Sequence, residues 1–373
     1  MKKVIKFNKP LITISEKRFI SKVFKNQKFT DGEFQKNCEE FIKKKIKSKC
    51  IELTQSCSSA LEVAMLLINI KNGDEVIMPS YTFTSTANAV LLRGGKPIFV
   101  DINPNDINLN YKLVEQKINK KTKAIIIVHY AGTACDMTEY LRLKNKYKLY
   151  LIEDAAHGFL GKYKNKFLGT IGDFGAFSFH ETKNFVGGQC GALSVNNLKF
   201  KRAAKIILDK GTDRSLISDR KKYYSWKGIG SEYRATELSS ALLYGQLKNN
   251  KLIQSKRENI WNIYYKFFSK IKSKNFFLLN NNNKSKKSAF HTFVLIFKGI
   301  VVRDRFISNM KKEGIQCYFH YYPLHMSDFG RKISNVKLPA TERIYNGLVR
   351  LPLYPGLTNA EVNQITLIAR KYL

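Results

Sequence analysis

The sequence predicts an α/β fold: a large, mostly parallel sheet with helices on both faces, followed by a smaller α+β unit. Three features carry that prediction. From Ile51 to about Val195, short apolar runs bounded by turn residues alternate with segments of helical period, the pattern of βαβ units. From Arg234 to about Ile271 the chain is helical and charge-rich, and Gly245 is its only Gly or Pro. Beyond an Asn/Lys-rich stretch at 280–287, strand and helix signals resume and run to the end. We divide the chain into a large domain, 1–251, and a small domain, 252–373, with residues 1–24 a candidate to pack on the small one.

The strands of the first region are read in order as "DEVIMP" (74–79), "KPIFVDI" (96–102), "KAIIIVHY" (123–130) and "LYLIED" (149–154). Between them, "SSALEVAMLLINI" (58–70), "STANAVLLR" (85–93) and "MTEYLRLKNKY" (137–147) have helical period. The region closes with two apolar runs, "FGAFSF" and "CGALSV", separated by a polar cluster and the pair Gly187-Gly188. In the small unit, "SAFHTFVLIFKGI" reads as a strand, 303–314 as a helix, "GIQCYFHYYPLH" (314–325) as a short strand, and Asn359 as the start of a terminal helix. Ligands of such sheets lie beyond the carboxyl ends of the strands. Polar residues gather there: Tyr81–Thr84, Asp101, His129, Tyr130 and Asp154.

Composition narrows the classes. A hydrophobic content of 44% suits a globular chain. No apolar run nears the roughly 18 residues that a membrane helix needs, and "MKKVIKFNKP" lacks a signal-length apolar core. A cytoplasmic location is the expectation. The six cysteines form no Cys-x-x-Cys pair, so neither a metal site nor a redox motif is signalled. The net charge of +36 suggests nucleic acid at first sight. The lysines are spread along the whole chain, however. Runs such as "KKKIKSK" (43–49) and "NNNNKSKK" (280–287) read as a solvated helix face and a loop, without interleaved aromatics. No nucleic-acid or membrane partner is expected.

Three sequence elements carry chemistry. Ser56, Ser58 and Ser59 precede an amphipathic helix; they make an N-cap, and a helix N-terminus also attracts phosphate. Asp154 ends an internal strand, where a carboxylate needs a partner; it could cap the "AAHG" segment or hold a cationic ring nitrogen. Lys183 sits in "FHETKN", with Ser178 shortly before it. It is either a surface lysine in a turn or, if desolvated, an amine able to bond an aldehyde. Together they describe one ligand, pyridoxal 5'-phosphate. That group needs a lysine for its aldehyde, an aspartate for its ring nitrogen, a helix N-terminus for its phosphate and a flat apolar group against its ring. Phe83, after a predicted strand, is placed to be the flat group, although it could equally be a core aromatic.

Longer stretches are also distinctive: "GDEVIMPSYTFTSTANAVLLRGGKPIFVDI", "VHYAGTACDM", "IEDAAHG", "LGTIGDFGAFSFHETKN", "FHYYPLH" and "RLPLYPGLT". In that order, and almost end to end, the chain resembles the sugar-nucleotide aminotransferases of the DegT/StrS class. "FHETKN" and "VHYAG.AC.M" are nearest to its dTDP-4-amino-4,6-dideoxygalactose transaminase branch. The resemblance implies the aspartate-aminotransferase fold (fold type I of pyridoxal-phosphate enzymes), with the large domain holding the cofactor. It implies Lys183 as the catalytic lysine and Asp154 as the ring-nitrogen partner. His157 falls where the class has Gln or His near the cofactor's phenolic oxygen. Phe83 matches the stacking aromatic, and Ser178 with the backbone amides of Ser58 and Ser59 matches the phosphate cradle. His320 and His325 match small-domain residues near the sugar nucleotide. The implied reaction moves the amino group of L-glutamate to C4 of dTDP-4-dehydro-6-deoxy-D-glucose for surface polysaccharide synthesis, in a homodimer and without a metal. A C3 or C4 transaminase acting on another UDP- or GDP-linked keto sugar is the alternative, and a non-catalytic regulatory or nucleic-acid-binding relative the remote one. Three positions depart from the class: Gln189 and Cys190 replace Glu and Gly after the lysine, and Glu232 replaces an Asn that reaches the neighbouring subunit's phosphate. A carboxylate there would repel a phosphate, so Glu232 is expected to point elsewhere.

Overall fold

The fold is described from a computed structural model, in which residues 4–217, 223–279 and 285–373 are described. The tip of the Asn/Lys-rich loop expected at 280–287 lies outside them. The strands are β1 (Ile51–Thr54), β2 (Glu75–Pro79), β3 (Lys96–Val100), β4 (Thr122–Val128), β5 (Tyr150–Asp154), the two-residue β6 (Lys162–Tyr163) and β7 (Lys166–Phe167), β8 (Phe174–Ser178) and β9 (Gly191–Val195). They continue with β10 (Phe276–Phe277), β11 (Lys286–Lys287), β12 (Phe293–Phe297) and β13 (Leu348–Leu351). A seven-stranded sheet has the order β1-β9-β8-β5-β4-β2-β3. Its strands run parallel except β9, which is antiparallel to both neighbours.

The helices are α1 (Ile14–Asn26), α2 (Glu33–Ile46), α3 (Cys57–Leu67), α4 (Thr84–Leu91), α5 (Tyr111–Lys117), α6 (Met137–Tyr147) and α7 (Lys201–Leu208). After them come α8 (Glu237–Lys248), α9 (Asn250–Phe268), α10 (Ile300–Lys312), α11 (Asp328–Ile333), α12 (Pro339–Gly347) and α13 (Asn359–Lys371). The period-2 alternation of the strands splits the core into two layers. Val76, Met78, Ala124, Ile126 and Ile152 pack with α3 and α4 on one face; Ile77, Ile125, Ile127 and Leu151 pack with α6 on the other. The lysines of α2 point outward while Ile42 and Ile46 are buried, as an amphipathic helix requires. None of the helices among the described residues is long and apolar enough to cross a membrane.

The stretch 314–325, expected as a strand, forms no ladder and ends in a 3-10 turn at Leu324–Met326. Ile315 bridges Ile5 and Tyr318 bridges Arg350, each at one residue only. Its apolar and aromatic content had suggested a strand, but it meets the edge strand β13 only at Tyr318, whose amide and carbonyl pair with Arg350. The N-terminal segment is divided. Ile5 joins the apolar cluster of Tyr264, Phe293, Leu295, Val349 and Ile365, whereas α1 packs on α8.

Two buried carboxylates serve as caps. Glu237 accepts from the amides of Phe34 (2.7 Å) and Gln35 (3.1 Å) at the start of α2. Asp101, beyond β3, accepts from the amides of Ala340 (2.9 Å) and Thr341 (2.8 Å) and from the Thr341 hydroxyl (2.7 Å), capping α12 from across the molecule. Asp101→Ala should therefore lower unfolding free energy by roughly 2–3 kcal/mol, since it leaves buried donors unpaired. Denaturant titration checks this; a change within error would mean the cap contributes nothing.

Candidate active site

The carboxyl ends of β4, β5 and β8 open onto a cavity of about 590 Å³, lined by Val128, Asp154 and Ser178 and closed on one side by Phe7, Arg257, His291, Tyr321 and Arg350. The alternation along β5 sends Glu153 and Asp154 to opposite faces. Glu153 bonds His129 Nε2 (2.9 Å) and the amides of Gly169, Ile171 and Gly172, so it is structural. Asp154 faces the cavity. Its Oδ2 accepts from Thr86 Oγ1 (2.8 Å) and its Oδ1 from the Ala156 amide (3.1 Å). Burial pushes its pKa up, opposed by the Thr86 and Ala156 hydrogen bonds and then by Lys183 and His129. A cationic partner would reverse that shift.

Lys183 follows a turn in which its own amide donates to the His180 carbonyl (2.9 Å). Its side chain lines the cavity. Desolvation lowers its pKa from 10.5 to about 8, against the opposing pull of Cys57 and Asp154, while Arg350 lowers it further. A usable fraction of the amine is therefore neutral near neutral pH. Between about 8 and 10.5 the unfolded chain binds more protons than the folded one, so stability rises with pH across that window. Below it, the desolvated ammonium is destabilising in full. Lys183→Met should therefore raise the melting temperature of the cofactor-free protein most below pH 8, with the gain shrinking toward pH 10.5. A gain that does not vary with pH would contradict the depressed value.

At the start of α3, Ser56 is the N-cap, and its Oγ accepts the Ser59 amide (3.1 Å). The Ser59 amide is thus already used, and Ser59 does not line the cavity; Ser56, Cys57 and Ser58 do. Ser58 Oγ lies 2.6 Å from Ser85 Oγ. Gly191 lets β9 approach this turn, since a Cβ there would meet the Ser56 backbone. An N-terminal turn with free amides and hydroxyls, with Ser178 opposite, suits a phosphate. Phe83 is 58% exposed, and its ring lines the cavity.

His157 is buried, and its Nδ1 has no hydrogen-bond partner among the described residues. Its Nε2 lies 3.2 Å from Tyr321 Oη. His320 lines the cavity, with Nδ1 3.2 Å from Tyr130 Oη. His325 does not line it. His325 is buried between Ser80 Oγ (2.7 Å) and Glu342 (3.2 Å), which makes it a structural histidine. Glu232 pairs with Lys210, and its side chain is half exposed. Cys190 is buried and Gln189 exposed.

The cavity also holds residues that the sequence reading did not single out: Thr86, Arg257, His291, Tyr321 and Arg350. Arg350 has no carboxylate partner among the described residues. Its Nη2 donates to the Phe319 carbonyl (3.2 Å), its guanidinium lies 4.7 Å from the Phe7 ring centre, and its Nε is buried without a partner. Burial lowers its pKa.

The residues present fit pyridoxal phosphate on an observation of this structure: a desolvated amine, a buried carboxylate and an orphaned imidazole nitrogen converge beside a helix N-terminus.

Comparison with known proteins agrees. Residues 11–368 match the DegT/DnrJ/EryC1/StrS aminotransferase family. An uncharacterized protein of Methanocaldococcus jannaschii, MJ1066, is 33% identical, covering 97% of this chain and 96% of its own. GDP-perosamine synthase of Escherichia coli O157:H7 is 31% identical, over 81% of this chain and 80% of its own. Among solved structures, Helicobacter pylori PseC, an aminotransferase involved in the biosynthesis of pseudoaminic acid, superposes with a TM-score of 0.91 at 26% identity. The match covers 99% of each chain.

Proposed function

The chain belongs to the DegT/DnrJ/EryC1/StrS aminotransferase family, a family of pyridoxal-phosphate enzymes acting on sugars, and from that premise we propose its substrates and the roles of its residues. The reaction we infer moves the amino group of L-glutamate to C4 of dTDP-4-dehydro-6-deoxy-D-glucose. The product is dTDP-4-amino-4,6-dideoxy-D-galactose, made in the cytoplasm by a homodimer for surface polysaccharide. The observation that carries the chemistry is the pairing of a desolvated Lys183 with a buried Asp154 in one cavity.

When bound, pyridoxal phosphate supplies an aldehyde and a cationic ring that draws electrons from the carbon under reaction. In this reading, Ser58, Ser178 and the first amides of α3 hold the phosphate, and Asp154 holds the ring nitrogen in its protonated form. Phe83 and His157, the latter with an Nδ1 free of partners among the described residues, would lie against the ring. Lys183 Nζ would bond the aldehyde, and when free it would carry the proton that leaves the donor's α-carbon. Arg350, a guanidinium with no carboxylate of its own, receives a carboxylate of glutamate. His320 and Tyr321 face the sugar nucleotide.

The 31% identity to GDP-perosamine synthase favours a second reading, a GDP-linked keto sugar as acceptor. Steady-state turnover with L-glutamate and a panel of dTDP-, GDP- and UDP-linked keto sugars separates the two, with the product amine assigned by NMR. The first reading expects the dTDP sugar to have the highest kcat/KM, by at least about tenfold. A GDP sugar ahead by that factor would replace it.

A further inference from the structure

Residues 5–8 form a strap from the small unit to the lysine turn. Ile5 lies beside Ile315: its amide donates to the Gly314 carbonyl (2.8 Å), and its carbonyl accepts from the Gln316 amide (3.1 Å). The Phe7 amide donates to Gln316 Oε1 (3.1 Å), and the Phe7 carbonyl accepts from the Leu353 amide (3.4 Å). One residue on, Asn8 Nδ2 donates to the carbonyl of Glu181, two residues before Lys183 (3.0 Å). Phe7 and Asn8 both line the cavity.

The Phe7 ring has two partners. Tyr318 packs on it edge to face, with 5.2 Å between ring centres and 85° between planes. The Arg350 guanidinium lies over it, 4.7 Å from its centre. Tyr318 and Arg350 are themselves joined, because the Arg350 amide donates to the Tyr318 carbonyl (2.8 Å) and the Tyr318 amide to the Arg350 carbonyl (3.3 Å). A guanidinium over a ring spends its face on that contact and keeps its N–H fork for a carboxylate. Arg350 is in that state. Its Nη2 donates to the Phe319 carbonyl (3.2 Å), and its Nε is buried without a partner. With no carboxylate of its own among the described residues, the guanidinium depends on the ring for its position.

We infer that Phe7 is a positioning residue for the amino donor: its ring holds the Arg350 guanidinium where its N–H fork receives a carboxylate of the donor. The inference rests on the reading of Arg350 as that carboxylate's partner. No bond is made or broken in this role. The effect is on binding, through a guanidinium already oriented before the donor arrives. The strap at residues 5–8 thereby sets the affinity for a dicarboxylate.

Glutarate is the probe, a dicarboxylate with no amine to react. Its binding to the protein loaded with pyridoxal phosphate is read as a change in the visible band of the lysine-bound cofactor, whose protonation responds to a nearby anion. Phe7→Leu keeps an apolar side chain and the backbone bonds of the strap but removes the π face. It should raise the glutarate Kd about five- to tenfold, the range of a partly desolvated cation–π contact. KM for L-glutamate should rise by a similar factor, with kcat at saturating glutamate within about twofold of wild type. Phe7→Tyr, which restores the ring face, should bind glutarate within about twofold of wild type. An unchanged Kd in a Phe7→Leu protein with native near-ultraviolet dichroism would overturn the inference, and so would Phe7→Tyr binding as weakly as Phe7→Leu. Should Phe7→Leu not fold, Tyr318→Leu, at an exposed residue, leaves the Phe7 ring unsupported and should raise the Kd about two- to threefold; no rise there overturns it equally. Arg350→Gln separates the inference from its premise. If it leaves glutarate binding unchanged, the reading of Arg350 fails and the inference with it. If it weakens binding while Phe7→Leu does not, the inference alone fails.

Discussion

Lys183→Ala is expected to reduce turnover by at least about 10⁴-fold, the largest effect of any single substitution in this chain. Two roles are lost at once, the bond to the cofactor's aldehyde and the proton carried at Nζ. The fold should survive, because the side chain makes no hydrogen bond among the described residues, while the turn is held by the Lys183 amide and by Asn184, whose amide bonds Ala289 and His291. The variant should still bind pyridoxal phosphate through the α3 turn, Asp154 and Phe83. Borohydride treatment followed by denaturation should then leave no cofactor attached to the chain. Turnover near the wild-type rate would remove Lys183 from the mechanism.

Asp154→Asn is expected to cost roughly 10²–10⁴-fold in kcat, with the protein still folded. The hydrogen-bond chain around it can reverse. Thr82 Oγ1 lies 2.8 Å from Thr86 Oγ1, and Thr86 now donates to Asp154. With an amide Nδ2 in place of Oδ2, Thr86 can accept from it and donate to Thr82 instead. The local structure therefore tolerates the substitution, and the loss is one of charge. A neutral amide cannot keep a ring nitrogen protonated. The half-reaction with glutamate, followed by stopped flow, should slow by the full factor. An unchanged rate would assign Asp154 to capping the Ala156 turn alone.

How much of this was legible in the sequence follows from what each signal depends on. Strands β2 to β5 and helices α3, α4 and α6 were readable because burial on two faces writes a local period into the chain. The stretch 314–325 has the same apolar look, but its partners are single residues of distant segments, which no local pattern encodes. Asp154 and Lys183 stood out because a charge at the end of an apolar strand, and a lysine in a hydroxyl-rich turn, are locally anomalous. His291 and Arg350 were not singled out: one adjoins β12 and the other lies within β13, where one polar residue looks like ordinary alternation. Only the tertiary structure places both on the cavity, and the signal for Arg350 is a missing carboxylate. The serines before α3 were readable as a group, but not which amide the cap would consume. His325 and His320 share one motif, yet the fold turns one toward Ser80 and the other toward Tyr130.

The most direct measurement of the central claim, amino transfer through Lys183, is the visible absorption spectrum of the purified protein loaded with pyridoxal phosphate. It is recorded alone, after L-glutamate, and then after dTDP-4-dehydro-6-deoxy-D-glucose. The account predicts a band from lysine-bound cofactor that glutamate removes and the keto sugar restores, with Lys183→Ala lacking the resting band throughout. A wild-type protein that shows no such band with pyridoxal phosphate present would contradict it.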